Sequence, residues 1–243
     1  MKLAWLVLAL LATACSPSKP AVSSACTAIE FEGARFTDCR ADPAHDRITL
    51  IIDPQRRTLE SLAQSLGSAA DKVRFAMNGG MYDDKGFAIG LAISQMRTLH
   101  ALNRRRGAGN FHLLPNGVFS VEADGWHVRT TDAFAALPGQ QPELATQSGP
   151  MLVIAGQLHP AIAADGDSLY VRNAVGVDSA GNAHFVISDE AVSFGKLARL
   201  LRDRLGCANA LFLDGSVSAL WDPASDRLDS TVPLGPLLVV ERR

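Results

Sequence analysis

The stretch Ala210-Leu-Phe-Leu-Asp-Gly-Ser-Val-Ser-Ala-Leu-Trp221 decides how the chain is read. Its first four residues form a short apolar run, as in a buried strand. The run stops at Asp214-Gly215, followed by two hydroxyls, Ser216 and Ser218. A carboxylate at the mouth of a buried strand, on a turn whose glycine lets a ligand approach the backbone, is placed for chemistry. Taken alone, the stretch reads first as an ordinary strand-ending Asp-Gly turn. Three further stretches repeat its pattern of apolar strand, small residues and one polar side chain.

These are Val73-Arg-Phe-Ala-Met-Asn78 running into Gly79-Gly80, the turn Gln147-Ser148-Gly149-Pro150, and Arg172 before Asn173-Ala-Val-Gly-Val177. Glycine N–H groups after Asn78 can face an anion. An arginine beside a buried strand pairs with a carboxylate or holds a planar anion by its fork. Asp189-Glu190 closes the strand-like run Phe185 to Ile187 and supplies further carboxylates. Together these groups suit sugar or phosphate chemistry.

Outward from this set, many short strands with few helices predict a mixed α/β (α+β) fold. It is one domain, residues 26–243, with a largely antiparallel sheet. Hairpins are expected around Ala123-Asp-Gly125 and Asp178-Ser-Ala-Gly-Asn182. Ala88 to Ile93 reads as another strand. Helices are expected where Leu59, Leu62, Ala63 and Leu66 recur, over Thr131 to Leu137, and after Ser193, whose apolar stripe is Phe194, Leu197, Ala198, Leu201 and Leu205.

Residues 1–14 have a charged start, a short apolar core and an A-x-A end, the pattern of an export signal. Leu11-Ala-Thr-Ala-Cys15 resembles a bacterial lipobox with the leucine one place further from the cysteine than usual. Cleavage after Ala14 fits both a lipoprotein and an ordinary exported protein, and the tether-like Ser16 to Ser24 favours a lipoprotein facing the periplasm of a bacterial envelope. A lipid on Cys15 would anchor the chain to the membrane, with residues 15–25 as a Ser/Pro-rich tether. Export permits disulfides. Cys26 and Cys39, flanking a strand-like segment, are the expected pair, and Cys207 a buried thiol. Such a bridge contributes on the order of 3 kcal/mol in the chain-entropy account.

A formal net charge of -2 over 243 residues argues against a general nucleic-acid binder, and Arg104-Arg105-Arg106 reads as a solvated loop. The six histidines lack zinc-binding spacing. There is no Gly-x-Ser-x-Gly elbow, P-loop or dinucleotide fingerprint, so no cofactor is expected. A divalent cation among Asp189, Glu190 and Asp214 stays open.

Phe75-Ala-Met-Asn-Gly-Gly-Met-Tyr82, Gln147-Ser-Gly-Pro-Met-Leu-Val153, Arg172-Asn-Ala-Val-Gly-Val-Asp178 and Leu213-Asp-Gly-Ser-Val-Ser218 occur in the order and spacing of the phosphodiester glycosidase family. The resemblance runs from about Cys26 to the C-terminus. It implies Asn78, Gly79, Arg172, Asp189 and Asp214 as site residues, supported by Ser148 and Ser218. The chain departs from one branch of the family, which has a longer glycine run where Gly215 is followed here by Ser216-Val217. The implied activity is cleavage of the glycosidic C–O bond of a sugar-1-phosphodiester. Asp214 would act as base or nucleophile, Asp189 or Glu190 as second acid, and Arg172 with Asn78-Gly79-Gly80 would hold the phosphate. Gln147, Ser148, Gly215, Ser216 and Ser218 would line the substrate. The alternatives are an envelope lipoprotein that binds a glycan without cleaving it, and a phosphodiesterase cutting P–O; the latter chemistry commonly recruits metal ions.

Overall fold

The computed structural model describes residues 23–139, 141–214, 217–229 and 232–243. The expected export signal, Cys15, most of the expected tether, Gly215 and Ser216 lie outside the described residues.

The chain begins with a hairpin, β1 (Cys26–Phe31) and β2 (Ala34–Ala41), then β3 (Asp46–Ile51) and α1 (Leu59–Leu66). β4 (Val73–Asn78), β5 (Ala92–Ser94), β6 (Arg97–His100), β7 (Gly117–Glu122) and β8 (Gly125–Thr130) follow, before α2 (Thr131–Ala135). Next come β9 (Leu144–Ser148), β10 (Met151–Ile154), β11 (Gln157–Leu158), β12 (Asn173–Val177) and β13 (Ala183–Ser188). Helix α3 (Phe194–Arg199) continues into a wider turn at Leu200–Arg204. The chain then forms β14 (Asn209–Asp214), β15 (Leu220–Asp222), β16 (Arg227–Leu228) and β17 (Leu237–Arg242).

These strands make three sheets rather than one, and every ladder is antiparallel. The orders are β1-β2-β13-β12-β14-β10-β11, β16-β15-β4-β17-β3 and β6-β5-β9-β7-β8. Their inner faces share one core, including Phe75, Phe119, Phe185, Leu211, Leu213 and Leu238. Each sheet also carries a helix on its outer face. α3 covers Phe36, Ala174, Val186 and Phe212. α1 covers Ala76, Trp221 and Val239, and Phe134 of α2 covers Val118 and Ala145. Coverage on both faces explains why β14 is apolar at every position from Ala210 to Leu213 instead of alternating.

Both expected hairpins are present, as β7–β8 and β12–β13. Ser193 caps α3 by accepting from the Lys196 N–H at 3.2 Å, which satisfies an otherwise orphaned donor. The expected strand over Ala88 to Ile93 is cut short, because only Ala92–Ser94 pairs in a ladder. Side chains satisfy the backbone before it: Asn103 Nδ2 donates to the Ile89 carbonyl, His100 Nδ1 to that of Gly90, and Leu91 N–H donates to Gln147 Oε1. With partners already supplied, this apolar run needs no neighbouring strand.

Cys26 and Cys39 are direct cross-strand partners and are disulfide-bonded. Cys207 is buried, and burial pushes its thiol up to about 12. It is a packed side chain, not a thiolate nucleophile.

Candidate functional site

The three sheets are fastened to one another where β14, β4 and β9 end. Asn173, the first residue of β12 and fully buried, accepts the Asp214 N–H on its Oδ1 at 2.9 Å. Its Nδ2 donates to the Asn78 carbonyl and to Asn78 Oδ1, each at 2.9 Å. Asn78 Nδ2 donates to the Val217 carbonyl, and its Oδ1 also accepts from the Ala219 N–H. From the third sheet, Ser148 Oγ donates to the Leu213 carbonyl and Thr146 Oγ1 to that of Gly79. Ser218 Oγ donates to the Asp214 carbonyl at 2.8 Å. Buried amides and hydroxyls of this kind must be paired, and here the pairing joins one sheet to the next.

Asp214 is 5 % exposed at this junction. Its negative charge is felt by Tyr82. Burial first, then Asp214, raises the phenol above its usual value, while Arg57 opposes the shift. Tyr82 therefore stays protonated at neutral pH, and its hydroxyl donates to the Pro233 carbonyl.

Arg172 lies one residue before Asn173 and points the other way, into the layer between the seven-stranded sheet and α3. It is 1 % exposed. Nε donates to the Val192 carbonyl, and Nη2 to the Ser168 carbonyl and hydroxyl. The guanidinium lies 3.6 Å from the centroid of Phe194, with Tyr170 and Phe212 at 5.3 and 5.5 Å. Burial pushes its pKa down to about 10, so the group remains cationic at neutral pH. Among the described residues no carboxylate lies within ion-pair distance of it, and Nη1 has no hydrogen-bond partner.

The other acids bond elsewhere. Asp189 follows the end of β13, two strands from β14 in the same sheet. Its carboxylate meets Arg227 Nη1 at 2.9 Å and Thr37 Oγ1 at 3.2 Å. Arg227 also pairs with Asp229, whose Oδ2 accepts the Leu220 N–H. Glu190 Oε1 accepts the Arg35 N–H. Gln147 is buried behind the site, where Oε1 accepts from Leu91 and Asn103 while Nε2 donates to Asn103 and Thr131. The Gly79 N–H donates to the Pro236 carbonyl at 2.7 Å. That bond removes it from the anion-facing pair of amides expected at the Gly79-Gly80 turn.

Three residues of this region were not singled out from the sequence. Asn173 could have been found as a polar residue opening an apolar strand. Tyr82 sits within the motif that begins at Phe75. Arg227 gave no signal of its contacts with Asp189 and Thr37, which lie 38 and 190 residues away, although its third partner, Asp229, is two residues on. The Asp178 and Asp83 segments are turns closed by their own carboxylates. Asp178 Oδ1 accepts from Ala180 and Asn182, and Asp83 Oδ1 from Lys85 and Phe87.

The class defined here is an antiparallel three-sheet α+β domain whose buried acid, amide pair and hydroxyls are gathered where the sheets meet. The chain belongs to the phosphodiester glycosidase family, whose model matches residues 71–235. It is 34% identical over 186 residues to the uncharacterized protein YigE of Escherichia coli (strain K12), covering 76% of this chain and 72% of that one. Its fold is similar to the zebrafish N-acetylglucosamine-1-phosphodiester alpha-N-acetylglucosaminidase catalytic domain, auto-inhibited by its pro-peptide. There the TM-score is 0.60 at 17% identity, covering 94% of this chain and 86% of the other. A putative exported protein from Burkholderia pseudomallei is similar at TM-score 0.55 and 12% identity, over 86% and 74% of the two chains. The family match begins inside the chain, yet β2 pairs with β13 in the middle of the seven-stranded sheet. The first strands are thus part of the same fold.

Proposed function

We propose that the protein is an exported hydrolase that cleaves the glycosidic C–O bond of a sugar-1-phosphodiester. The observation that carries the phosphate half of this reading is Arg172. A buried cation with no carboxylate partner is costly, and an anionic ligand would offset that cost. Because Nε and Nη2 already have acceptors, Arg172 would offer Nη1 and its charge rather than a two-pronged grip. Gly80 would supply a backbone donor.

Asp214 would take the proton of an attacking water as that water bonds to the anomeric carbon. The C–O bond then breaks, and its electron pair leaves with the phosphate monoester. A phosphate monoester is already a stable anion, so little general-acid help is needed. If Asp214 instead attacks the carbon directly, the same bond breaks and water releases the sugar in a second step. Asp189, held by Arg227, and Glu190 are the candidate second acids. Asn78, Asn173, Ser148 and Ser218 act as positioning residues. Gln147 stands behind them, and Gly215 and Ser216 complete the turn that would meet the sugar.

Asp214→Asn should abolish turnover of a chromogenic sugar-1-phosphodiester while the circular dichroism spectrum is kept; near-normal turnover would overturn the assignment. Hydrolysis in ¹⁸O water should label the sugar. Label in the phosphate would mean P–O cleavage. Glycan affinity without sugar release, unchanged by Asp214→Asn, would instead point to a binding lipoprotein.

The Cys26–Cys39 bridge and the similarity to a putative exported protein support an oxidising, extracytoplasmic location. Cys15 is the proposed lipid attachment site, and the mass of the mature N-terminus tests it. An unmodified Cys15 would remove the anchor. The expected partners are a sugar-phosphate substrate and, through the lipid, the membrane.

A further inference from the structure

The basic run Arg104-Arg105-Arg106 is an exposed loop, as expected, but its backbone is anchored. Asn103, immediately before it, is 8 % exposed and fixed at four points, its carbonyl accepting from Gln147 Nε2. Its N–H donates to Gln147 Oε1, its Nδ2 to the Ile89 carbonyl, and its Oδ1 accepts the Arg105 N–H. Further on, Phe111 is buried, and Asn116 Nδ2 donates to the Phe111 carbonyl. The arginines are thus presented from a backbone held at both ends.

A hollow of about 410 Å³ opens beside them, lined in part by His100, Asn103, Arg105, Arg106, His112 and Asp83. Arg104 pairs with Asp132 at 3.0 Å. Among the described residues no carboxylate lies within ion-pair distance of Arg105 or Arg106. Both histidines turn Nδ1 towards carbonyl oxygens, His100 to Gly90 at 2.8 Å and His112 to Arg105 at 2.9 Å. A carbonyl only accepts, so Nδ1 carries the hydrogen in each ring. Asp83 is the single acid among these lining residues, and its Oδ1 is occupied by the Lys85 and Phe87 N–H groups.

We propose that this hollow is a phosphate-binding site separate from Asp214. Two guanidiniums suit the tetrahedral oxygens of a phosphate. The hollow adjoins the site's framework, because Gln147 and Asp83 connect it to the Ser148 turn and to Tyr82. The phosphate can be free inorganic phosphate or a second phosphate on the substrate, as in a chain of sugar phosphates. Only the latter assignment rests on the proposed glycosidase reading.

The test follows the His100 and His112 ring signals by NMR while inorganic phosphate is added to the purified protein at constant ionic strength. A saturable shift below about 10 mM is expected, corresponding to at least ~2.7 kcal/mol of binding. Arg105→Gln/Arg106→Gln should weaken it at least about tenfold. No saturable shift, or one that the double variant leaves unchanged, overturns the site. A two-phosphate sugar oligomer that binds more than about tenfold tighter than phosphate assigns the site to substrate, and equal affinities assign it to free phosphate. Turnover is not part of the readout, so failure here and failure of the glycosidase reading are distinguishable.

Discussion

A guanidinium packed against Phe194 and bonded to two carbonyls carries a charge that nothing beside it neutralises. If Arg172 served only the fold, an apolar replacement of similar length would leave its polar partners without a donor and destabilise the protein. The same replacement also removes a buried charge that has no carboxylate partner, which offsets that loss. Arg172→Met should therefore hold the urea midpoint or raise it, while KM for the sugar-1-phosphodiester rises at least about tenfold. A midpoint that falls with KM unchanged would make Arg172 structural. At this scale the sequence was informative wherever a polar residue interrupts an apolar run, as at Asn78, Arg172 and Asp214. It could not reveal that Arg172 and Asn173, adjacent in the chain, face opposite sides of the sheet and do different work. Nor could it show that Asp189 is held by Arg227, since that contact depends on tertiary pairing.

Strand ends, more than whole strands, position the candidate site. β12, β13 and β14 are antiparallel neighbours, so the start of the first and the ends of the other two lie at one margin of the sheet. Asn173 links that margin to β4 of the second sheet through Asn78. Asn173→Ala would leave the Asp214 N–H buried without its acceptor, a cost of about 1–3 kcal/mol. Urea denaturation should record that loss, and turnover should fall with it because Asp214 is no longer held. Unchanged stability would show that water replaces the amide. Hairpins and helix caps were legible from local turn and capping chemistry, as with Ser193. The run from Ala88 was misread because hydrophobicity reports burial and not which partner satisfies the backbone.

At the scale of the molecule, three sheets share one interior, and each wears a helix outside. Composition and strand count gave the α+β class, but the division into three sheets depends on which distant strands pair. β4 lies between β15 and β17, for example, far from either in the chain. The Cys26–Cys39 bridge closes the open end of the β1–β2 hairpin, whose other end turns through Glu32 and Gly33 at positive φ. In the chain-entropy account this closure contributes roughly 3 kcal/mol. Cys26→Ala/Cys39→Ala should lower the urea midpoint accordingly, and an unchanged midpoint would show that strand pairing alone suffices.

β1 is also the outermost strand of its sheet. Were the bridge reduced and β1 to peel away, β2 would present a bare row of peptide groups to any identical neighbour. The thiol–disulfide balance of the compartment would then bear on whether molecules remain separate or join edge to edge.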